Sequence, residues 1–281
     1  MKMETEQITS GQNPKIKELL SLQEKSRERR ERGLFVVEGR RELAHCLAAG
    51  FVPDAVFYCP EIFDSAVFPD ARPLPEGQCR IQQRYSLPEE TKIFEVSRNV
   101  YEKIAYRGGT EGIVAEIKAR TLRLEDLKLR ENPLVIVLES VEKPGNLGAV
   151  LRSADAAGAD AVIVCDPITD LYNPNLIRAS LGALFTVPTL AATSEETIAW
   201  LKARHIHIFT AQLQDSELYS EADFRGPSAL VMGTESTGLT DLWRRAADKH
   251  IRIPMRGALD SLNVSVSAAI LLFEALRQRG A

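Results

Sequence analysis

The second half of the chain alternates short runs of Val, Ile and Leu with segments of helical periodicity. From residue 134 onward the runs read LVIVLES, AVIVCD, HIHIFTA and ALVMG, and HIRIP is typical of a fifth strand. Helices are predicted between them near residues 146–157, 174–181, 195–204 and 239–247. Near-continuous apolar strands that alternate with helices indicate a parallel sheet buried on both faces, and therefore an α/β fold.

The first half has a different pattern, and the length of the chain favours two domains. Its 281 residues exceed the roughly 250 at which a single core stops growing. A helix is predicted over 14–30, and strands are predicted at LFVV, PDAVFYCP, KIFEVS and GIVAEIK. The charged segment 121–132 is predicted to link a smaller α/β domain at 1–120 to the parallel-sheet domain at 133–281.

The composition, with 44% hydrophobic and 26% charged residues, is that of a globular protein. The cysteines lack CxxC spacing, which argues against zinc and for a reducing compartment; they are Cys46, Cys59, Cys79 and Cys165. No apolar run approaches the ~20 residues of a membrane span, and the N-terminus lacks a signal-peptide core. The sequence predicts a cytoplasmic protein without a membrane segment or a metal.

Positive charge is concentrated in two places, although the net charge is −4. One basic cluster lies between Lys15 and Arg41, and the other follows Trp243. Local positive patches on an acidic protein suit the binding of a polyanion at chosen sites. A solvated helix face is an equally good interpretation of QEKSRERRERG, so contact of Arg29 and Arg30 with a nucleic acid is a hypothesis.

Three loops follow strand ends in the second domain. They read VEKPGNLGAVLRSADAAGAD, TESTGLT and MRGALDSLNVS. Ligands of parallel sheets bind at the carboxyl ends of the strands, so the three loops are predicted to border one pocket. The sequence has no GxxxxGK[ST] phosphate loop, and GNLG is too short for a dinucleotide turn, so a Rossmann dehydrogenase is only weakly supported. No Ser-His-Asp or Cys-His set is evident.

The last loop leads into a helix that is predicted from Val264 onward. Ser261 and Asn263 precede this helix, and both residue types are preferred N-caps because their side-chain oxygens accept hydrogen bonds from the first turn. On this segment alone, capping is favoured over a chemical role. The predicted core-facing stripe of the helix consists of Val266, Ile270, Leu271, Leu272, Phe273 and Leu276.

Together these stretches resemble one known family. NLGAVLRSADAAGAD, VMGTESTGL and IPMRGALDSLNVSVSAAILLFEALRQ are similar, in this order, to the three motifs of the SpoU (TrmH-like) branch of the SPOUT RNA methyltransferases. RASLGALF resembles the segment that the family has between its first two motifs. NPKIKELLSL and RGLFVVEGRREL are similar to the family's ribosomal-protein-like RNA-binding domain, so the resemblance covers nearly the whole chain.

The resemblance implies a 2′-O-ribose methyltransferase that acts on structured RNA with S-adenosylmethionine as cofactor. It implies that the C-terminal segment forms a deep trefoil knot, although chains rarely knot. It also implies a homodimer that packs through the knotted C-terminal domains. Ribosomal RNA is favoured over transfer RNA because of the added N-terminal module. A non-catalytic RNA-binding or assembly protein on the same scaffold is the other alternative.

The motif match also implies the site residues. The catalytic set is Arg152, Asn146, Glu235, Ser261 and Asn263. Arg152 is expected to position the acceptor and to stabilise the nascent alkoxide, since a guanidinium with a pKa above about 12 is a poor base. Glu235 is expected to orient Asn146 or Arg152. Ser261 and Asn263 are expected to bind the acceptor phosphate or ribose, or to shape the knot.

The cofactor is expected at Gly233, Ile253 and Leu262, with Thr234 and Met255 nearby. In the family these contacts come mostly from backbone groups, and a glycine permits close approach of the backbone. Apolar side chains at Ile253 and Leu262 suit the adenine ring.

Overall fold

The computed structural model describes residues 5–67, 80–106, 111–234 and 237–280. The chain divides into two compact units, Met1–Arg120 with Tyr172–Arg178, and Thr121–Leu171 with Ala179–Ala281. None of the described helices is long and apolar enough to cross a lipid bilayer. Each unit is built around a sheet of its own.

The first unit contains a mixed five-stranded sheet. Its strands are β1 (Glu6–Ile8), β2 (Leu34–Glu38), β3 (Pro53–Tyr58), β4 (Lys92–Val96) and β5 (Ile113–Lys118). They lie in the order β1-β4-β3-β5-β2, with β5 antiparallel to both of its neighbours. The helices are α1 (Pro14–Glu24), α2 (Ser26–Arg32), α3 (Arg40–Ala48), α4 (Pro60–Val67), α5 (Arg80–Tyr85) and α6 (Arg98–Ile104).

The helix predicted over 14–30 is in fact divided into α1 and α2. Asn13 caps α1, since its side-chain oxygen accepts a hydrogen bond of 2.9 Å from the backbone N–H of Lys15. At Lys25 the backbone is extended, with φ −112° and ψ 113°, so the helix ends there and a second one begins. The prediction of one continuous helix is wrong.

Arg29 of α2 explains how this break is stabilised. Its side chain is buried, and its guanidinium donates hydrogen bonds of 2.6 and 3.1 Å to the carbonyls of Leu22 and Gln23. These carbonyls lie at the end of α1, where a helix leaves its last acceptors unpaired. The hypothesis that Arg29 contacts a nucleic acid is therefore wrong, because the group is used inside the fold, whereas Arg30 is exposed.

The second unit contains a seven-stranded sheet in which every neighbouring pair is parallel. Its strands are β6 (Leu134–Glu139), β7 (Ala161–Cys165), β8 (Thr189–Ala192), β9 (His207–Ala211), β10 (Glu217–Leu218), β11 (Ser228–Met232) and β12 (Lys249–Arg252). They lie in the order β10-β12-β9-β11-β6-β7-β8. The predicted parallel α/β sheet is confirmed, and the two edge strands, β8 and β10, were not predicted.

Helices connect these strands and cover the sheet. They are α7 (Pro144–Ala156), α9 (Ala183–Thr186), α10 (Ser194–Ala203), α11 (Asp241–Ala246) and α12 (Val264–Gln278). The helix α8 (Pro174–Ala179) lies between α7 and α9 in the chain, but its residues up to Arg178 belong to the first unit. All residues of β6, β7 and β11 are buried, as expected for central strands covered on both faces. α12 packs against α7 and β11.

The face that α12 buries differs from the predicted stripe. Val266 and Phe273 are 46% and 48% exposed. The buried face consists of Val264, Ala268, Leu271, Leu272 and Ala275. Small residues such as alanine allow close packing of the helix on the core, so periodicity of large apolar residues alone selected part of the wrong face.

A carboxyl group is buried in the sheet of the first unit. Glu116 lies in β5 with 8% of its surface exposed. Its pKa is raised from 4.5 to about 7, mainly by burial and also by the carboxylates of Asp54 and Glu18, while Arg32 and Lys92 act in the opposite direction. Folding therefore favours the protonated form of this side chain.

This buried acid predicts a pH-dependent stability. Between about pH 4.5 and about pH 7 the unfolded chain has released a proton that the folded chain retains, so the free energy of unfolding falls as the pH rises. We expect Glu116→Gln to abolish this fall and to stabilise the protein by on the order of 2 kcal/mol at pH 8. Urea unfolding at pH 5 and pH 8 measures the effect. Glu90→Gln, at an exposed position, is the control, and an equal fall in both variants contradicts the prediction.

Candidate active site

A cavity opens at the carboxyl edge of the parallel sheet. It has a volume of about 310 Å³ and is lined by residues at the ends of β9, β11 and β12, by parts of the segments that follow β11 and β12, by Arg244 of α11 and by the first turn of α12. Among the described residues, the loop after β6 contributes none to its lining. The prediction that three loops border one pocket is therefore correct for the loops after β11 and β12. The loop after β6 is connected to them through the hydrogen bond between Asn146 and Asn263.

The five residues expected to bind the cofactor all line this cavity; they are Gly233, Thr234, Ile253, Met255 and Leu262. Ser261, expected in the catalytic set, lines it as well, and its hydroxyl donates to Asp260 at 3.3 Å. The volume lies near the lower end of the roughly 300–1,000 Å³ that ligand pockets occupy. Apolar walls beside a few polar groups fit a nucleoside with a charged tail.

Gly233 is required for the shape of the loop after β11. A Cβ atom at this position would lie 2.2 Å from the carbonyl oxygen of Gly238, a contact that no side chain can make. The loop is closed further by hydrogen bonds of Thr237 to the Thr234 hydroxyl. The close approach that the glycine permits is thus made by the loop's own backbone. Glu235, expected to orient the catalytic groups, lies outside the described residues.

The far end of this loop is held by the buried carboxylate of Glu139, which was not predicted from the sequence. Glu139, the last residue of β6, is 3% exposed. Its two oxygens accept hydrogen bonds of 2.8 Å from the backbone N–H of Thr240 and 2.7 Å from its hydroxyl. The signal in the sequence was an acid that ends the otherwise apolar run LVIVLE. The pair fixes the position of Gly238 and Leu239, which line the cavity.

Asn263 connects the last helix to the first helix of this unit. Its Oδ1 accepts hydrogen bonds from the backbone N–H of Ser265 at 2.9 Å and from the Ser265 hydroxyl at 2.6 Å, so it caps α12. Its Nδ2 donates to Oδ1 of Asn146 at 3.1 Å, across 117 positions of sequence. The predicted capping by Asn263 is confirmed, and the bond to Asn146 is an additional contact, whereas binding of the acceptor by Asn263 stays a prediction. Asn146 lies inside α7 and does not cap it.

Arg152 is the remaining residue of the expected catalytic set. It lies on α7 six residues after Asn146, about 9 Å further along the helix axis. Its side chain is exposed and makes no hydrogen bond or ion pair with another described residue. The structure thus joins Asn146 to Asn263 and places Ser261 in the cavity, while Arg152 stands apart with its charge open to solvent.

Two further polar side chains of the cavity wall, Gln212 and Arg244, were not predicted. Gln212 directly follows β9, at the same edge where the three loops were sought. Arg244 belongs to α11, which was read only as a helix. Each has a buried polar atom, Oε1 of Gln212 and Nε of Arg244, without a hydrogen-bond partner in the described part of the chain.

The cysteines supply no nucleophile to this site. Cys46, Cys59 and Cys165 are buried free thiols, and Cys79 lies outside the described residues. Burial raises the pKa of Cys46 and of Cys165 to about 12, so both remain protonated near neutral pH. Within the described ranges, no group of His, Cys, Asp and Glu side chains is arranged to hold a metal ion.

The family model described as the SpoU rRNA Methylase family matches residues 133–273. The chain belongs to this family. A second model, the MRM3-like substrate binding domain, matches residues 13–115. The family predicted from the three motifs is therefore confirmed, and the matched region contains every residue of the candidate site.

Several proteins that resemble this chain are named as rRNA methyltransferases or RNA 2′-O-methyltransferases. RlmB of Ralstonia nicotianae, a 23S rRNA (guanosine-2′-O-)-methyltransferase, is 42% identical over 175 residues, which cover 60% of this chain and 70% of that protein. A crystal structure of an RNA 2′-O ribose methyltransferase has 40% identity and a TM-score of 0.78, with 97% and 99% of the two chains covered. An AdoMet-bound rRNA methyltransferase from Sinorhizobium meliloti has 29% identity and a TM-score of 0.83, with 97% and 98% covered.

These findings confirm the predicted activity class. The chain is an RNA 2′-O-methyltransferase with S-adenosylmethionine as its cofactor.

The contact of Gly233 with Gly238 predicts a cofactor-binding defect. We expect Gly233→Ala to displace the backbone of Gly238 and Leu239 and to weaken binding of S-adenosylhomocysteine at least about tenfold. Isothermal titration calorimetry measures the Kd. Gly257→Ala is the matched control, because a Cβ atom there meets no atom within 4 Å. Equal affinity of the two variants contradicts this account of the loop.

The two functions of Asn263 can be separated by one substitution. Asn263→Ser retains an oxygen that caps α12 but loses the amide that donates to Asn146. We expect the Tm to change little and methyl transfer to RNA to slow about tenfold, which is the effect of one lost hydrogen bond. Asn13→Ser, the same change in the cap of α1, serves as the control. A full rate in Asn263→Ser shows that the bond to Asn146 has no part in the reaction.

Proposed function

We propose that this enzyme methylates a ribose 2′-hydroxyl of 23S ribosomal RNA. The observation that carries the proposal is the continuity between cavity and helix: Leu262 lines the cavity, and the next residue, Asn263, is bonded to Asn146 of α7. A ligand in the cavity and an acceptor at α7 therefore lie on two sides of one short segment. RlmB of Ralstonia nicotianae, named for guanosine in 23S rRNA, supports this class of RNA.

The cavity binds the cofactor. S-adenosylmethionine, when bound, supplies a methyl group on a positively charged sulfur, which is a good leaving group. Ile253, Met255 and Leu262 offer apolar walls that suit the adenine ring, and Gly233 and Thr234 offer backbone groups beside them. The chain's own contribution is to hold the donor in one orientation and to exclude water, so that proximity replaces a bimolecular encounter.

The acceptor hydroxyl is the difficult partner, because a neutral alcohol is a weak nucleophile. Arg152 positions the RNA through a phosphate and stabilises the negative charge that develops on the 2′-oxygen. Its exposed guanidinium, with no intramolecular partner among the described residues, supports this role. A guanidinium is a poor base, so the proton leaves to another acceptor.

Asn146, Asn263 and Ser261 arrange the acceptor side. The hydrogen bond between the two amides fixes the start of α7 against the start of α12. Ser261, which lines the cavity two residues before Asn263, is placed to contact the acceptor ribose or phosphate. For Glu235 the proposal rests on the family resemblance alone, which assigns it the orientation of Asn146 or Arg152.

Substrate binding and methyl transfer are assigned to different parts of the chain. Residues 1–120 form the RNA substrate-binding domain, 121–132 the linker, and 133–281 the methyltransferase domain with the trefoil knot of its family. The match of residues 13–115 to a substrate binding domain supports the first assignment. The knot rests on membership of the family, and the interior position of the last strand, β12, between β9 and β10 is compatible with it.

The enzyme functions as a cytoplasmic homodimer that packs through its C-terminal domains. Val266 and Phe273 lie seven residues apart on α12, so they share one helix face, and 46% and 48% of their surfaces are exposed. A large aromatic and a branched aliphatic side chain on one open face support burial against a second copy of the chain. The cytoplasmic location follows from a ribosomal RNA substrate.

Methyl transfer from labelled S-adenosylmethionine tests the proposal. Unmodified 23S rRNA and transfer RNA are offered separately, and the products are digested with alkali. A 2′-O-methyl group blocks cleavage at its own nucleotide, so we expect label in alkali-resistant dinucleotides from 23S rRNA only. Label in mononucleotides contradicts ribose methylation, and label in transfer RNA contradicts the RNA class. Absence of label with bound cofactor favours the non-catalytic alternative.

The role of Arg152 predicts a defect in rate without a defect in cofactor binding. We expect Arg152→Ala to lower kcat roughly 100-fold to 1,000-fold, as the loss of a group that stabilises developing charge does. The Kd of S-adenosylhomocysteine should not change, because Arg152 does not line the cavity. Arg152→Lys keeps the charge but not the fork of donors, so its kcat should lie between. Arg245→Ala, also exposed, is the control; equal rates in both alanine variants exclude the role.

A further inference from the structure

A second cavity lies in the first unit, outside the candidate active site. It has a volume of about 120 Å³ and is lined mainly by residues of β2, α3 and α8, together with Tyr106 and Glu111. All of its lining residues belong to the first unit. Pockets that enclose a whole small molecule measure roughly 300–1,000 Å³. The second cavity is smaller, so it fits a single group that projects from a larger molecule.

Carboxylates form the polar part of this wall; they are Glu38, Glu42 and Glu111. Glu42 is only 7% exposed, and its Oε1 accepts a hydrogen bond of 2.9 Å from the guanidinium of Arg41. Its Oε2 accepts none from a described residue, yet this oxygen is not sealed from solvent. A Cβ atom on Gly39 would lie 2.6 Å from Oε2 of Glu42 and 3.2 Å from Oε2 of Glu111. Two acceptor oxygens therefore converge beside Gly39, at the wall of the cavity.

Tyr106 and Arg178 add flat surfaces to the same wall. Tyr106 is 45% exposed, and its backbone N–H donates to the carboxylate of Glu38 at 3.0 Å. The guanidinium of Arg178 lies 4.7 Å from the centre of the Tyr106 ring and donates to Oδ1 of Asn175 at 2.8 Å. Both flat groups are thus held in place. Unpaired RNA bases stack on aromatic rings and on guanidinium planes of this kind.

We propose that the second cavity binds an unpaired guanine base of the RNA substrate, which rests on the proposed function. A carboxylate only accepts hydrogen bonds. The Watson–Crick edge of guanine offers two neighbouring donors, the N1–H and the N2 amino group, which pair with the oxygens of Glu42 and Glu111. Adenine, cytosine and uracil each have an acceptor beside the donor on this edge. That acceptor would face a carboxylate oxygen and lose its hydrogen bond to water without replacement.

The charges of the wall favour a base over the other groups that could enter. A phosphate would meet three carboxylates. A cationic side chain or a polyamine would pair with the carboxylates, but it would also meet the guanidiniums of Arg41 and Arg178, which line the same cavity. A neutral base avoids both repulsions and stacks on Arg178. The proposed role of residues 1–120 in RNA binding brings bases to this unit.

Fluorescence anisotropy with short labelled RNAs tests the proposal on the full chain. The probes are uridine hexanucleotides that carry one guanosine, adenosine or inosine; inosine keeps the N1–H but lacks the N2 amino group. We expect the wild type to bind the guanosine probe at least about tenfold more tightly than the adenosine probe, with the inosine probe between them. Glu42→Gln and Tyr106→Leu should each lose most of this preference. Glu90→Gln, an exposed acid of the same unit outside the cavity, is the matched control and should keep it.

The preference is a ratio of two affinities, so the general effect of a removed negative charge on RNA binding cancels. Equal affinity of the wild type for the guanosine and adenosine probes overturns the proposal, and so does binding of no probe or a full preference in both variants. If Glu42→Gln fails to fold, as judged by its Tm, Tyr106→Leu decides the question, because Tyr106 is exposed.

A cationic occupant would give another result. If the guanosine preference is absent and Glu42→Gln instead weakens the binding of spermidine, the cavity takes a cation, which overturns the proposal. The binding measurements do not require methyl transfer. Failure of the proposed function is therefore recognised separately, by the absence of label in alkali-resistant dinucleotides from 23S rRNA.

Discussion

The strands of the C-terminal sheet all end at one edge, because every neighbouring pair from β10 to β8 runs in the same direction. Neighbouring parallel strands must be joined by crossover connections. The helices in these connections cover both faces of the central strands. The loops that follow the strands lie at the carboxyl edge. The cavity therefore forms where β9, β11 and β12 end, and the adjacent β6 brings α7 with Asn146 to the same edge.

Two buried carboxylates fix the central strand that carries α7. At the start of β6, Asp160 accepts from the backbone N–H of Leu134 at 2.8 Å and from the guanidinium of Arg130. Burial alone raises the pKa of Asp160, but these hydrogen bonds outweigh burial and hold it below its ordinary value. At the end of β6, Glu139 binds Thr240. The strand is thus tied at one end to the segment that enters the domain and at the other to the loop over the cavity.

The elements whose position depends on one dominant physical effect were predicted correctly from the sequence. The elements whose position depends on two competing effects were not. Runs of Val and Ile buried on both faces can hardly be anything but central strands, whereas β10 has only two residues and no pattern of its own. The break at Lys25 depends on Arg29, whose contacts with α1 are tertiary and invisible to periodicity. The motifs located the cavity residues because they lie on loops, but Gln212 and Arg244 are single polar residues beside regular elements and resemble surface positions in sequence.

The two sides of the candidate site differ in the kind of groups that form them. The proposed cofactor side is a cavity whose walls are made of backbone, apolar side chains and a few polar groups. The proposed acceptor side consists of two amides, a hydroxyl and the exposed cation of Arg152, which suit ribose and phosphate, groups that every nucleotide shares. Such groups can align a nucleotide but cannot select one, because selection requires contacts with base edges or with RNA shape. On the proposed function, the choice of target rests on surfaces outside the methyl-transfer site, and the match of residues 13–115 to a substrate binding domain supports a role of this part of the chain in that choice.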